Sequence, residues 1–348
     1  MDAFEGLRRI GIVGAGSMGS MMALAFSELG LDVSIWDVKG SNIDSLLNKA
    51  KKIKSLKGCL DGNYEAEGFM KSLDQCPQRL FLFSITHGSP ANSVLAQLHN
   101  QLRDGDIILD GENEHYCNTE RHQRNLKGKG ISWIGVGISG GYQAARHGPS
   151  LSPGGSEASV KRVLPLLEKY SAKNPKSNRP CVEYIGPHGS GHYVKMVHNG
   201  IENGMLSTMC GAWSLLNQCL GLTYNEIGNV FDGTAQDHVL SEVLDKVVQN
   251  FDDTEGTLYW SVMEAAQRHI VAPTIAAGQF LRVASGNRAQ RLEVAKCLEK
   301  VPGLKQPRLS ENDRNRFIED LRPAVYASFL CSYCQGLELI ARASAAED

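Results

Sequence analysis

The spacing of apolar and polar positions divides the chain into two unlike parts. From Ile10 to Gly140, short apolar runs recur between helix-period segments. Ile10 to Val13, DVSIWD, RLFLFSI (79–85), DIILDGE (106–112) and SWIGVGISG (132–140) have the length and composition of buried strands. Helical stretches, including SVLAQLHNQL and NTERHQRNLKGKG, lie between them. Alternating strands and helices predict an α/β fold with a largely parallel, doubly wound sheet over residues 1–190. Beyond that point the strand signal ceases. The segment from Gly191 through Leu216, then YNEIGNVF, HVLSEVLDKVVQNF, IAAGQFLRVAS and the stretch from Asn312, predict an all-helical domain over 191–348.

The first strand runs into Gly14-Ala15-Gly16-Ser17-Met18-Gly19, and a helix follows. Glycines there permit a tight turn, close approach of a pyrophosphate and close helix packing, while the helix start presents amide donors. Strand before, helix after and a second strand ending at Asp37 together predict a Rossmann-type dinucleotide site built on Gly14, Gly16, Ser17, Met18, Gly19 and Asp37. The plainer alternative is a glycine-rich turn without a ligand. An acidic residue at Asp37 accepts hydrogen bonds from an unmodified ribose and repels a 2′-phosphate, which favours NAD over NADP. Lys39 nearby softens that repulsion, and a simple turn cap is the competing reading of Asp37.

The helix GHYVKMVHNGIENGM holds a second pattern. Lys195, Asn199 and Glu202 stand at i, i+4 and i+7, with His198 beside them. A solvated face is the bland reading. On a helix with apolar and glycine flanks, the stripe instead lines a cavity. Two strand-end loops, DGENEHY and ISGGYQAARHGPSLSPGG, lie where open α/β sheets bind ligands. Backbone amides around Ser139, Gly140 and Gly141 suit a carboxylate, although ordinary turn chemistry explains the glycines alone.

Charge narrows the partners. Lys and Arg number 36 against 38 Asp and Glu, a net charge of −2 without a basic cluster, so no nucleic acid is expected. No apolar run approaches a membrane span, and MDAFEGLRR leads into the first strand without a signal-peptide pattern. The nine cysteines are scattered, and Cys331 and Cys334 form the one close pair. That pair reads as helical core, no metal site is expected, and the setting is cytoplasmic.

These segments resemble the 6-phosphogluconate dehydrogenase (decarboxylating) family. DGENEHYCNTERHQRNLKGKGISWIGVGISGGYQAARHGPSLSPGG is similar to its central block and GSGHYVKMVHNGIENGM to its catalytic helix, while FIEDLRPAVYASFLCSYCQGLELI extends the likeness towards the end. The resemblance implies NAD(P)-dependent oxidative decarboxylation of 6-phosphogluconate in the pentose phosphate pathway. It also implies a helical substrate and dimerisation domain, and a homodimer. Lys195 then matches the general base at the C3 hydroxyl, and Glu202 the acid that protonates the enediol. Asn199 and His198 match substrate-hydroxyl contacts. Ser139, Gly140 and Gly141 match the carboxylate loop, Asn113 and Thr257 match further substrate contacts, and Arg282 matches a phosphate-binding arginine. Such chemistry needs Lys195 neutral at the outset and Glu202 protonated later, the latter in a dry pocket.

Departures from the family pattern accompany the likeness. Glu112 and Glu114 flank Asn113 where the family has glycine and serine. Asn203 replaces a phosphate-binding tyrosine, and Glu255 replaces a lysine. The family's C-terminal tail has no counterpart in these 348 residues, so the chain reads as a shortened or diverged member. Three readings follow: the 6-phosphogluconate enzyme, a related β-hydroxy acid dehydrogenase acting on an unphosphorylated sugar acid, and a non-catalytic dinucleotide-binding regulator. Intact Lys195 and glycines stand against the last.

Overall fold

A computed structural model of the chain describes residues 7–86, 88–232, 257–286, 288–298 and 309–347. The chain forms two compact units, Met1–Met196 and Val197–Asp348.

In the first unit, strands and helices alternate as β1 (Arg9–Val13), α1 (Ser17–Glu28), β2 (Asp32–Trp36), α2 (Gly40–Ala50), β3 (Leu60–Asn63), α3 (Ala66–Lys71), β4 (Leu80–Phe83), α4 (Ser89–Leu98), β5 (Ile107–Asp110), α5 (Tyr116–Lys127), β6 (Ser132–Ser139), α6 (Gly141–His147), β7 (Ser150–Gly154) and α7 (Glu157–Tyr170). Helix α8 (Ser190–Ser214) begins in this unit. The sheet order is β3-β2-β1-β4-β5-β6-β7, and every pairing is parallel except β6 with β7. Strand order therefore reverses between β1 and β4, the place where such sheets bind ligands at their carboxyl ends.

Both faces of the sheet are covered, which explains why the strands read as unbroken apolar runs. Successive residues point to opposite sides. Leu80, Leu82, Ile107 and Leu109 join one core with Ile10, Ile12 and Val33. Phe81, Phe83 and Ile108 join the other with Val13 and Trp133.

Two strands depart from the sequence reading. β3 is LDGN and carries almost no apolar signal. β7 lies within GPSLSPGG, which reads as a loop, yet it pairs antiparallel with β6, Leu151 opposite Ile138 and Ser150 opposite Ser139. Its position at the sheet edge makes Pro153 tolerable, since a ladder donor is dispensable there.

Among its described residues, the second unit contains helices joined by short turns and no strand. Helix α8 continues through a π turn (Leu215–Cys219) and is followed by α9 (Tyr224–Asp232), α10 (Leu258–Gln267), α11 (Pro273–Gly286), α12 (Arg288–Leu298) and α13 (Glu311–Glu347). The segment HVLSEVLDKVVQNF lies outside the described residues. Small residues let these helices approach closely. A Cβ at Gly200 would stand 2.7 Å from Ser261, at Gly204 2.5 Å from Ser332 Oγ, and at Gly336 2.4 Å from Ile201. Gln335 of α13 ties down the start of α11: its Oε1 accepts from the backbone N–H of Thr274 (3.1 Å) and Ile275 (3.3 Å), and its Nε2 donates to Thr274 Oγ1 (3.0 Å).

Helix α13 corrects one expectation. By length and composition it is apolar enough to cross a membrane. Alanine, glycine, serine and cysteine among its large apolar residues hide this from a search for continuous Leu and Ile runs. Ser332, Gly336, Leu339 and Ala343 form its buried stripe, while Tyr326, Leu330, Tyr333 and Leu337 face outwards.

Candidate active site

The glycine loop follows β1 at the reversal of strand order. Gly14 has φ +100°, and a Cβ there would lie 2.3 Å from Ser84 O. A Cβ at Gly19 would lie 2.0 Å from Gly14 O, so α1 packs directly on the turn. Gly16 has open space around it. The first and third glycines are thus fixed by packing within the chain, and the second leaves room for a ligand to reach the backbone. No side chain caps α1, whose first turn contains Ser17 and Met18.

Asp37 is buried and already engaged. Its Oδ2 accepts from the Ala15 N–H (2.6 Å) and from Asn42 Nδ2 (3.1 Å), and its Oδ1 accepts from the Lys39 N–H (2.7 Å). The turn-capping role therefore exists in the structure. It places the carboxylate directly against the glycine loop.

The start of α8 is pressed onto β6 and β7 through glycines. A Cβ at Gly191 would stand 2.2 Å from Gly135 O and 2.4 Å from Ser152 O. A Cβ at Gly137 would stand 2.6 Å from that of Lys195. This close approach brings Lys195 Nζ within 3.2 Å of Ser139 Oγ, to which it donates. Ser139 ends β6, and Gly140 (φ +122°) and Gly141 (φ +67°) turn the chain into α6 as an exposed corner.

His192, one turn before Lys195, joins α8 to the tip of β5. Its Nε2 lies 3.0 Å from Asp110 O and its Nδ1 2.6 Å from Thr119 Oγ1. The sequence reading did not single out His192 or Thr119. The signal was a histidine amid apolar residues in GHYVK, which packing explains as readily as function.

Beyond Asp110 comes the loop with Asn113, which is exposed, whereas Glu112 and Glu114 on either side are buried. Glu114 accepts from the Gly88 N–H (3.0 Å), the His115 N–H (2.7 Å) and Asn118 Nδ2 (2.8 Å). Burial opposes its charge, but these donors hold its carboxyl below the usual range. Among the described residues, Glu112 has no partner for either oxygen. Burial first, then the charges of Asp110 and Glu114, push its carboxyl up to about 11. The two glutamates do not face outwards with Asn113.

In the second unit, Asn199 is buried and its Nδ2 donates to Thr257 Oγ1 (3.2 Å). His198 Nδ1 is 3.2 Å from Asn199 Oδ1 and 3.9 Å from Glu202 Oε2. Glu202 does not occupy the dry pocket expected of it: its side chain is 58% exposed, and that of His198 45%. Asn203, at the position of the family's tyrosine, turns inwards; a Cβ on Gly278 would touch its backbone and Nδ2. Arg282 is half-buried on α11. Glu255 lies outside the described residues. Among the described residues, no His, Cys, Asp or Glu group is arranged to hold a metal ion.

Comparison with known families then decides the affiliation. Residues 9–186 match the NAD binding domain of 6-phosphogluconate dehydrogenase, and residues 191–348 match the 6-phosphogluconate dehydrogenase C-terminal domain. The chain belongs to the 6-phosphogluconate dehydrogenase family. It is 52% identical to the decarboxylating 6-phosphogluconate dehydrogenase of Emericella nidulans, with 94% of this chain and 73% of that protein covered. Against a chloroplastic enzyme of Spinacia oleracea the identity is 36%, covering 97% of this chain and 66% of the relative. The solved 6-phosphogluconate dehydrogenase of Plasmodium falciparum, studied with NADP+ and with 6-phosphogluconate, superposes with a TM-score of 0.82 at 30% identity. That match covers 97% of this chain and 74% of the other. A 3-hydroxyisobutyrate dehydrogenase from Salmonella typhimurium, at 19% identity and a TM-score of 0.60, shares the fold; it covers 80% of this chain and 94% of its own. The chain thus spans about two thirds to three quarters of the 6-phosphogluconate dehydrogenases named here.

Proposed function

We propose that the chain oxidises and decarboxylates 6-phosphogluconate with NAD or NADP, in the pentose phosphate pathway. The observation that carries this reading is Lys195 Nζ at 3.2 Å from Ser139 Oγ. A side chain suited to be the base is held beside the loop suited to a carboxylate.

The dinucleotide would be held by Gly14, Gly16 and Gly19 with Ser17 and Met18, and the open space at Gly16 fits its pyrophosphate. When bound, it supplies the oxidant that takes up hydride from C3. Ser139, Gly140 and Gly141 anchor the C1 carboxylate, and Asn113, His198, Asn199 and Thr257 hold hydroxyls. Lys195 removes the C3 hydroxyl proton. The ammonium so formed then polarises the new C3 carbonyl, which drains electrons from the C1–C2 bond as carbon dioxide leaves. Glu202, two turns along the same helix, returns a proton to the enediol.

A related β-hydroxy acid dehydrogenase acting on an unphosphorylated sugar acid is the second reading. The inward turn of Asn203 favours it, because it leaves Arg282 as the matched cationic anchor for a phosphate. Three further expectations belong to the proposal. Asp37, with exposed Val38 next to it, favours NAD. The outward apolar faces of α11 (Phe280, Leu281, Val283) and α13 (Tyr326, Leu330, Tyr333, Leu337) favour a homodimer through the helical unit. Nine free cysteines suit a reducing, cytoplasmic setting. The testing experiment is dinucleotide reduction by the purified chain with 6-phosphogluconate, gluconate and short β-hydroxy acids in turn. Reduction with a sugar acid supports the proposal, and none with any of them refutes it.

A further inference from the structure

The tip of β5 carries three buried carboxyl groups in five residues, and they are not alike. Asp110 accepts from Trp133 Nε1 (3.1 Å) and from the Glu112 N–H (3.3 Å), with His192 Nδ1 4.0 Å away. Glu114 has three donors. Glu112, between them and 4% exposed, has none for either oxygen among the described residues. Asn113, carried between Glu112 and Glu114, is the exposed residue of the loop.

A buried carboxylate without donors is unstable, and two further carboxyls beside it make ionisation harder still. Among the described residues, the titratable groups facing this cluster from the surrounding elements are His192 of α8, against Asp110 and Glu114, and His122 of α5, against Glu114. The charged groups acting on Glu112 itself are Asp110 and Glu114, both acidic. We propose that Glu112 is a positioning residue that works as an uncharged acid: its proton keeps the Asn113 loop seated, and losing that proton releases the loop and weakens sugar-acid binding. This rests on the reading of Asn113 as a substrate contact.

The sign follows from linkage. The carboxyl is raised to about 11 in the folded chain from an ordinary 4.5. Seating of the loop is therefore fullest below the ordinary value and is lost progressively as pH rises towards the folded value, by up to about tenfold per pH unit. Dinucleotide binding at the glycine loop does not depend on this proton.

The test compares wild type, Glu112→Gln and Glu112→Gly. Thermal midpoints are followed from about pH 6 to about pH 9, and 6-phosphogluconate and dinucleotide binding are measured by calorimetry at both ends. Glutamine keeps the shape and cannot ionise, so the wild-type midpoint should fall with pH relative to Glu112→Gln. Sugar-acid affinity should fall several-fold in wild type and stay flat in the variant, with dinucleotide affinity unchanged in both. Glu112→Gly should be as pH-independent as the glutamine variant, and it answers the question if the latter does not fold. Superimposable thermal curves would overturn the uncharged acid. Diverging thermal curves with identical sugar-acid affinities would show a purely structural group and overturn positioning. If no variant binds the sugar acid at any pH, the reading of the site fails and the loop's role with it, while the thermal curves still report the proton.

Discussion

At the scale of the residue, the sequence shows which groups are present and conceals how they are turned. Gly14, Gly16 and Gly19 were legible because their spacing is itself the geometry. Glu112 and Glu114 were not. Read from the sequence, they threaten to add negative charge around a substrate, but both bury their carboxyls and only Asn113 looks out. Nothing in DGENEHY specifies that alternation, and the Glu114 half of it depends on donors that Gly88 and Asn118 supply from outside the segment. Asp37 was legible as an acid at a strand end, yet its three donors come from Ala15, Lys39 and Asn42. Its charge beside the loop predicts a higher kcat/KM with NAD than with NADP, and Asp37→Asn, which removes the charge and one of the two acceptor oxygens, should narrow the gap. Steady-state kinetics with both dinucleotides check this, and a wild-type preference for NADP contradicts it. For Lys195, replacement by alanine should lower kcat by about 100- to 10,000-fold, the range for a lost acid–base group. Dinucleotide affinity should hold, since the glycine loop is formed by other residues. An unchanged kcat would remove Lys195 from the chemistry.

Whole elements were predicted where apolar periodicity is strong and missed where tertiary pairing overrides a weak local signal. β7 forms from SLSPG because β6 offers its edge, and β3 forms from LDGN because β2 does. Helices α1 and α6, which follow the glycine loop and the corner at residues 139–141, are joined by an ion pair invisible in the sequence. Both guanidinium nitrogens of Arg146 meet both oxygens of Glu28, 118 residues away. That pairing, opposed in part by burial, lowers the Glu28 carboxyl to about 2. A lowered carboxyl stabilises the fold above its ordinary value near 4.5, and that contribution is lost as pH falls from there towards 2. Glu28→Gln should accordingly lower the melting temperature at neutral pH and lose most of that effect in acid. Melting curves of both proteins between neutrality and about pH 3 check it. An equal deficit at every pH would mean that packing, not charge, is what the substitution removes.

For the whole molecule, the succession of an α/β part and an all-helical part was readable from the change of period along the chain. The substrate depends on details that periodicity does not reach. Asn203 faces inwards at the position the resemblance assigns to a phosphate-binding tyrosine, and each charge-assisted partner missing from such a site weakens binding by roughly 1.5 to 3 kcal/mol. The KM for 6-phosphogluconate should then lie well above the micromolar range, with gluconate competing on nearly equal terms. Titrating both substrates on one preparation tests this. A micromolar KM for 6-phosphogluconate without gluconate oxidation would show that other residues rebuild the phosphate site. The central claim is a single reaction in which oxidation at C3 and loss of C1 are coupled by groups on one helix. Its most direct test is to measure carbon dioxide released from carboxyl-labelled 6-phosphogluconate together with the reduced dinucleotide formed. Equimolar yields that vanish together in Lys195→Ala are predicted, and reduced dinucleotide without carbon dioxide would contradict the account.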